Sequence, residues 1–226
     1  MNVLVVSCNH HKAGVKLRER LAFSSAEQLN SAYAQWRLRH PESEIVVLST
    51  CNRVEIYAAD ERDNDGVSFD DITRFISHFH NVPTDEFVGS VLAQSGPDAV
   101  SHLFQVACSI DSMVLGEPQI VNQVKEAYRV AQENDACGPL TNVLFQHALK
   151  VSAQVRTETG LADGRVSIAS VAVGEFGKSI FSRFDNKTVL VIGGGQIYYQ
   201  PFSRFGKYSS DQGLLSTPEK ISLVVF

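Results

Sequence analysis

The sequence lacks the apolar segments that membrane insertion and secretion require. No apolar run reaches the roughly 18 residues that a membrane-spanning helix needs. The N-terminal stretch MNVLVVSCNHHK also lacks the charged start, the long apolar core and the small-residue cleavage site of a secretory signal. We therefore expect a cytoplasmic protein without a membrane partner.

Cysteine is scarce and widely spaced. The chain has four cysteines, and no two of them form a C-x-x-C pair. This spacing argues against a zinc site and against a disulfide framework, so we expect free thiols and no bound metal. Cys8 and Cys108 lie inside apolar runs and are expected to be buried, whereas Cys137, beside Gly138 and Pro139, is expected in a loop.

An excess of basic residues is also absent. Lysine and arginine number 20 against 25 acidic residues, which gives a formal net charge of −5. This balance argues against a general nucleic-acid binder, whose phosphate contacts need a basic face, but it leaves room for a local basic patch. With 226 residues, of which 44% are apolar, the chain can form one or two domains with a substantial core.

Local patterns predict a mixture of strands and helices. The sequence SSAE at 24–27 resembles a capping box, and two histidines in the stretch SHFH are expected at a helix end rather than on a metal. Apolar alternation predicts strands over 2–8, 44–49 and 53–59. Helical spacing predicts helices over 25–38, 69–80, 97–110, from within 116–120 to about 134, and from 140 to 183 with a break at 159–165.

The stretch STCNRVEIY, residues 49–57, places chemistry at the end of a buried strand. Cys51 follows the apolar run SEIVVL, and Arg53 comes two residues later. A thiolate is the attacking species, but an unperturbed thiol has a pKa of about 8.5, and a nearby cation or helix N-terminus can raise the ionised fraction at neutral pH. The alternative interpretation is a surface arginine on an edge strand, with Thr50 and Asn52 forming the turn.

A glycine-rich turn follows the apolar run NKTVLVI in the last quarter of the chain. A parallel strand that enters a tight glycine turn is typical of a dinucleotide-binding unit. Gly193 and Gly195 supply the first two glycines of G-x-G-x-x-G, but the third position is Tyr198. Residues 197–226 show no clear amphipathic helix, and Pro201 falls where the first helix should run.

Four segments together resemble one family, the glutamyl-tRNA reductases. They are STCNRVEIY, DAVSHLFQVACSIDSMVLGEPQIVNQVKEAY, VRTETGLADGRVSIASVAV and VLVIGGGQ, and the resemblance covers roughly residues 1–196. Members of this family begin tetrapyrrole synthesis. The resemblance implies that a cysteine attacks the ester of glutamyl-tRNA to form a thioester, which NADPH then reduces to glutamate-1-semialdehyde. Such covalent catalysis divides a difficult reduction into two easier steps.

The resemblance also implies roles for individual residues. Cys51 is the implied nucleophile, His102 an implied general acid, base or leaving-group donor, and Arg53 a ligand for the substrate carboxylate. Without the resemblance, a helix histidine packed near the core would be preferred for His102. The other implied substrate-binding residues are Thr50, Asn52, Ser112, Glu117, Pro118, Gln119 and Gln123. Asn9, His10 and Lys12 match a family motif without an assigned role.

The cofactor of the family is NADPH, and its implied binding residues are Gly193, Gly194, Gly195, Gln196, Ile197 and Tyr198. We expect weak NADPH binding, because the sequence after about residue 196 matches neither the family nor a dinucleotide fold. A truncation or frameshift at that point is our hypothesis, and with it the loss of the dimerisation domain, so we expect a monomer. The expected partner is glutamyl-tRNA(Glu), and the downstream glutamate-1-semialdehyde aminomutase is a further candidate.

The expected architecture is α/β. An α+β catalytic domain over residues 1–150, with a small antiparallel or mixed sheet covered by helices, precedes a helical connector over 151–184. An incomplete Rossmann NADP-binding domain is expected over 185–226.

Three functions stay open from the sequence. The first is NADPH-dependent glutamyl-tRNA reductase, and the second is a remnant that only deacylates glutamyl-tRNA as an esterase. The third is an inert fragment that binds tRNA or a partner protein. An ordinary Rossmann dehydrogenase fits less well, because its glycine fingerprint would stand near the start or be followed by a full domain.

Overall fold

The computed structural model describes residues 2–62 and 66–162, together with two strands at 189–192 and 222–225. The chain divides into two compact units. The first comprises Met1–Met113 and Gln119–Leu161, and the second comprises Val114–Pro118 and Ala162–Phe226. The domain boundaries at 150 and 184 stay predictions. Within the described ranges, no helix is both long and apolar enough to cross a membrane.

The first unit contains a four-stranded antiparallel sheet with helices around it, which confirms the predicted fold class. The strand order is β2-β3-β1-β4. The strands are β1 (Asn2–Asn9), β2 (Glu44–Ser49), β3 (Arg53–Asp60) and β4 (Leu92–Ser95). The helices are α1 (Val15–Leu21), α2 (Ala26–Arg39), α3 (Phe69–His80), α4 (Gly96–Ala107), α5 (Pro118–Glu133) and α6 (Pro139–Glu158), with 3-10 turns at Thr84–Glu86, Val88–Ser90 and Gly160–Ala162.

The two central strands are buried on both faces. Successive residues from Val3 to Cys8 and all eight residues of β3 are buried, so the expected alternation of buried and exposed positions is wrong for these strands. The reason is that helices cover both sides of the sheet. Helices α3 and α4 pack against β1, α6 packs against β2 and β3, and α1 packs against β3. Glu55 is therefore buried instead of lying on a solvated face.

Two helix ends differ from the sequence prediction for identifiable reasons. The N-cap of α2 is Ser25 rather than Ser24, since the Ser25 side chain accepts a hydrogen bond from the Gln28 backbone. Helix α4 ends at Ala107 rather than near residue 110, because Ser109 adopts a left-handed φ of 61°. The backbone N–H of Ile110 then donates back to the Gln105 carbonyl, as in a Schellman-type termination.

Helix α6 begins without a side-chain cap of its own, since its N-cap is Gly138. Glu44 at the start of β2 replaces it. The Glu44 carboxylate accepts the backbone N–H groups of Leu140, at 3.0 Å, and Thr141, at 2.6 Å. A carboxylate at a helix N-terminus satisfies free donors and complements the helix dipole, so this contact fixes α6 against the sheet. The part of the predicted long helix beyond residue 162 lies outside the described residues.

The second unit contains β5 (Val189–Ile192) and β6 (Ser222–Val225). The strand predicted before the glycine turn is present as β5. It pairs antiparallel with β6, with Val189 opposite Val225, and the parallel partner expected for it in a dinucleotide-binding unit stays a prediction. Each strand needs partners for its backbone N–H and C=O groups, and the apolar run at the end of the chain supplies them.

In the first unit, His80 at the end of α3 provides a test of how this helix end is buried. Its ring contacts Phe23 and Phe79, and its Nε2 has no hydrogen-bond partner among the described residues. Burial lowers the pKa of His80 to about 4. When the pH is lowered, His80 therefore takes up a proton at a higher pH in the unfolded chain than in the folded one. The free energy of unfolding falls as the pH drops from about 6.5 towards 4. We expect His80→Phe to reduce this loss, measured by urea unfolding between pH 7 and pH 5, by about 1 kcal/mol.

His78, an exposed histidine on the same helix, is the matched control. His78→Gln should leave the acid-induced loss of stability as in the wild type. An equal effect of both substitutions would show that burial of His80 is not its cause.

Candidate active site

The turn between β2 and β3 presents Cys51 to solvent on a rigid support. The backbone N–H of Thr50 donates to the Arg53 carbonyl at 2.8 Å and closes the turn. The Thr50 hydroxyl accepts the backbone N–H groups of Asn52, at 3.2 Å, and Arg53, at 3.1 Å. Cys51 lies between these bonds with an exposed side chain. Thr50 therefore shapes the turn, and its predicted contact with substrate stays a prediction.

Two neighbouring elements hold the tip of this turn. The backbone N–H of His10, in the turn after β1, donates to the Asn52 carbonyl at 3.0 Å. Arg18 on α1 is buried, and its Nε donates to the Cys51 carbonyl at 3.3 Å. Arg18 Nη1 also donates to the carbonyl of Ala13. These bonds fix the backbone of Cys51 while the thiol stays accessible.

The other three thiols are in less reactive surroundings. Cys8 and Cys108 are buried, as predicted, and Cys137 is partly buried in a loop, also as predicted. Burial raises the pKa of Cys8 to about 11 and that of Cys137 to about 11, and it also raises the pKa of Cys108. Because the thiolate is the nucleophile, these three residues are poor candidates for covalent chemistry.

A buried carboxylate lies behind the turn. Glu55 on β3 is fully buried, and its Oε1 accepts hydrogen bonds from Ser7 at 2.8 Å and from Arg53 at 2.9 Å. The same oxygen lies 2.9 Å from His102 Nε2, and Oε2 accepts the Tyr57 hydroxyl at 2.6 Å. We call Ser7, Arg53, Glu55, Tyr57 and His102 the buried polar cluster. It connects β1, β3 and α4.

The donors of this cluster set the ionisation of Glu55. Burial by itself raises the pKa of this carboxyl, but the hydrogen bond from His102, the positive charge of Arg53 and the bond from Tyr57 together hold it at about 2. For Tyr57, burial and the adjacent Glu55 charge raise the pKa well above 10. Glu55 is therefore a permanent anion in the folded protein at neutral pH.

Arg53 is paired inside the protein. Its Nη1 contacts Glu55 Oε1 at 2.9 Å and Asp111 Oδ2 at 3.0 Å, and its Nη2 donates to the Asp111 carbonyl. The Arg53 side chain is only 2% exposed. Burial opposes the charge, but the two carboxylates raise the pKa of Arg53 above its usual value. The surface-arginine interpretation is wrong, and the predicted contact with a substrate carboxylate stays a prediction, since Asp111 occupies the guanidinium here.

Asp111 connects this pair to the turn after β1. Its second carboxylate oxygen lies 3.1 Å from Nε2 of His11, whose ring contacts that of His10 in a tilted arrangement with centroids 3.9 Å apart. Asn9, which begins the same turn, accepts the backbone N–H groups of Lys12 and Ala13 through its carbonyl, and that of His11 through its side chain. The motif CNHHKA therefore forms a turn that supports the Cys51 backbone.

The remaining predicted residues lie on the segment that leads into α5. Ser112 follows Asp111 directly, Glu117 and Pro118 belong to the second unit, and Gln119 and Gln123 lie on α5. Burial raises the pKa of Glu117. In the described part of the chain no hydrogen bond joins Ser112, Gln119 or Gln123 to the Cys51 turn, so their substrate roles stay predictions. His102 is 5% exposed, and its acid–base role also stays a prediction.

The predicted cofactor residues Gly193–Tyr198 lie outside the described residues. No group of three or more histidine, cysteine, aspartate or glutamate side chains within the described ranges could hold a metal ion.

The sequence interpretation missed Arg18, Glu55 and Asp111. Glu55 could have been found from position, because Ser7 and Asn9 on β1 face Glu55 and Arg53 on β3 in the antiparallel register, so polar residues recur on one face of both strands. Arg18 and Asp111 carried no such signal.

Breaking the buried polar cluster should destabilise the fold. Glu55→Gln removes the anion and leaves the buried Arg53 with one carboxylate fewer, and we expect a loss of about 3 kcal/mol in the free energy of unfolding at pH 7. The pKa of Glu55 is lower in the folded chain than in the unfolded one, so the wild type loses this stabilisation as the pH falls from about 4.5 towards 2. The variant has no carboxyl at this position and should lack this pH dependence. Urea unfolding across this pH range measures both effects.

An exposed ion pair provides the comparison. Glu86 contacts Arg20 at 2.7 Å, and both side chains are exposed. Glu86→Gln should cost less than about 1 kcal/mol. Similar losses for the two variants would contradict the structural role assigned to Glu55.

Comparison with known proteins agrees with the motifs around this site. Residues 6–159 match the family model described as Glutamyl-tRNAGlu reductase, N-terminal domain. The glutamyl-tRNA reductase of Rhodopirellula baltica is 38% identical over 197 residues, which are 87% of this chain and 46% of that protein. The enzyme of Citrifermentans bemidjiense is 41% identical over 198 residues, 87% of this chain and 44% of its own length.

One alignment extends further along the chain. The glutamyl-tRNA reductase of Ectopseudomonas mendocina is 38% identical over 214 residues, which are 95% of this chain and 48% of that protein. This coverage requires that the alignment continue beyond residue 196. The solved structure of glutamyl-tRNA reductase from Methanopyrus kandleri superposes with a TM-score of 0.59 at 31% identity, covering 86% of this chain and 44% of that one.

The chain spans about half the length of the relatives it matches. The family model covers 154 residues, from 6 to 159, and this range contains the Cys51 turn and the buried polar cluster. The chain belongs to the glutamyl-tRNA reductase family, which it matches through the N-terminal domain.

Proposed function

We propose that this chain carries out the covalent step of a glutamyl-tRNA reductase, with Cys51 as the nucleophile and glutamyl-tRNA(Glu) as the substrate. The observation that carries the proposal is the exposure of Cys51. It is the exposed thiol among the four cysteines. It is held at the tip of a turn whose backbone donates to the Thr50 hydroxyl and accepts hydrogen bonds from His10 and Arg18.

The bond changes in the proposed step are simple. The Cys51 thiolate attacks the carbonyl carbon of the aminoacyl ester, and a carbon–sulfur bond forms. The bond between that carbon and the terminal ribose oxygen breaks, and the released tRNA hydroxyl takes up a proton. The products are a glutamyl thioester on Cys51 and free tRNA. A fixed turn favours this reaction, because little ordering of the backbone is left for the transition state.

Recognition of the glutamyl group is proposed for two residues beside the nucleophile. The side chain of Asn52 makes no hydrogen bond within the described part of the chain, so its amide is available to the substrate. The carboxylate and the carbonyl of Asp111 contact the Arg53 guanidinium. The free carboxylate of the glutamyl group would take the place of Asp111 on this guanidinium. In this proposal His102 holds Glu55, and Glu55 holds Arg53.

The fate of the thioester separates two functions. NADPH would supply a hydride that converts the thioester into glutamate-1-semialdehyde, but the residues predicted to bind it lie outside the described ranges, so NADPH use and its place in tetrapyrrole synthesis stay proposals. Without hydride transfer, water can attack the exposed thioester and release glutamate. The exposure of Cys51 supports this second function, an esterase.

A single experiment tests the shared covalent step and distinguishes the two outcomes. The purified full chain is incubated with radiolabelled glutamyl-tRNA, with and without NADPH, and acid-quenched samples are analysed for label on the Cys51 peptide, free glutamate and semialdehyde. We expect Cys51→Ser to abolish the protein-bound label and to lower product formation by about 100-fold or more. Semialdehyde that forms only with NADPH identifies a reductase, and glutamate released equally under both conditions identifies an esterase.

Cys137→Ser is the matched control, since it removes a partly buried thiol away from the turn. It should retain wild-type activity. Product formation that survives in Cys51→Ser would exclude both enzymes with a Cys51 thioester. Binding of glutamyl-tRNA without any label or product would instead support the inert fragment.

A further inference from the structure

Arg18 is a buried arginine whose described contacts include no carboxylate. It lies on α1 and is 6% exposed. Both of its hydrogen-bond acceptors are backbone carbonyls, those of Cys51 and Ala13. Within the described residues no aspartate or glutamate lies within ion-pair distance of its guanidinium. A buried cation without a counter-ion is costly, so its place next to the nucleophile requires an explanation.

The other arginine beside Cys51 does not provide a free positive charge. Arg53 contacts two carboxylates, Glu55 and Asp111. His10, whose backbone holds Asn52, does not provide one either, because burial and neighbouring positive charges lower the pKa of its ring. Among the described residues, Arg18 is therefore the buried cation at this turn that contacts no carboxylate.

We propose that Arg18 is a positioning residue that stabilises the thiolate of Cys51 and so prepares it for attack. The inference rests on the proposed function, in which Cys51 is the nucleophile. When the thiol loses its proton to solvent, the uncompensated guanidinium offsets part of the cost of the new negative charge. Because Arg18 Nε donates to the Cys51 carbonyl at 3.3 Å, the guanidinium is held beside the backbone of the residue that carries the thiol.

Other charged or titratable residues belong to the turn or to the elements that contact it, and a substitution at Arg18 leaves them unchanged. They are His10, His11 and Lys12 after β1, Lys16, Glu19 and Arg20 on α1, Arg53 on β3 and Asp111 after α4. A comparison of variants at position 18 therefore isolates the contribution of this one charge.

The test measures how fast iodoacetamide labels Cys51 as a function of pH. The rate is followed by mass spectrometry of the Cys51 peptide, on the full chain, between pH 6 and pH 10. Arg18→Gln removes the charge, and we expect the midpoint of the rate profile to rise by about one pH unit, with labelling at pH 7 about tenfold slower. Arg18→Lys keeps the charge without the planar fork, and its midpoint should stay close to that of the wild type.

The buried thiols report whether each variant is folded. Cys8 and Cys108 should resist labelling in the wild type and in both variants. Labelling of Cys8 in Arg18→Gln would show that this variant is not folded, and the test would then rest on Arg18→Lys. A midpoint raised by about one pH unit in Arg18→Lys overturns the proposal. An unchanged midpoint in a folded Arg18→Gln protein also overturns it, as does an equal rise in both variants, which would show that Arg18 only shapes the turn.

Failure of this inference can be distinguished from failure of the proposed function. Thiol labelling requires no tRNA, whereas the deacylation assay reports on catalysis directly. If Cys51→Ser keeps its activity while Arg18→Gln still shifts the labelling profile, the proposed nucleophile is wrong and the electrostatic role of Arg18 stands.

Discussion

The structure around the candidate site depends on the buried negative charge of Glu55. A carboxylate without water is unstable unless several donors surround it. Ser7, Arg53, Tyr57 and His102 provide these donors from β1, β3 and α4. Any displacement of one of these elements would leave a buried charge partly unsatisfied. The cluster therefore sets the position of α4 on the sheet, and with it the position of Asp111, which follows the end of that helix.

The two arginines beside Cys51 have different roles because their surroundings differ. Arg53 pairs with Glu55 and Asp111 and so belongs to the scaffold, whereas in the described part of the chain Arg18 contacts backbone carbonyl oxygens and no carboxylate. The sequence places Arg53 next to the thiol and Arg18 more than 30 residues away, so proximity along the chain indicates the wrong cation. This division explains how one small region can contain both a strongly paired, stable ion cluster and a positive charge that is available to a thiolate.

Strands β1, β2, β3 and β5 and most helices were predictable, because apolar periodicity depends on local sequence, whereas α1, β4 and β6 were not predicted. The buried polar cluster was harder to predict. All eight residues of β3 are buried, because elements that are distant in sequence, such as α6, pack against this strand. Arg18 and Asp111 meet the turn across separations of 33 and 58 residues, and no local pattern encodes such contacts. The pairing of β5 with β6 had the same non-local origin.

The arrangement separates stability from reactivity. Every group that holds the Cys51 backbone lies in the first unit, on β3, α1 or the turn after β1, and none of these contacts uses the thiol. In the proposed reaction the sulfur would therefore change from thiol to thiolate and to thioester without breaking a bond on which the fold depends. A nucleophile inside the buried polar cluster could not do so, since each change of charge would disturb Glu55 and its donors. Because Cys51 lies outside that cluster, the proposed covalent reaction would leave the buried charges and their hydrogen bonds unchanged.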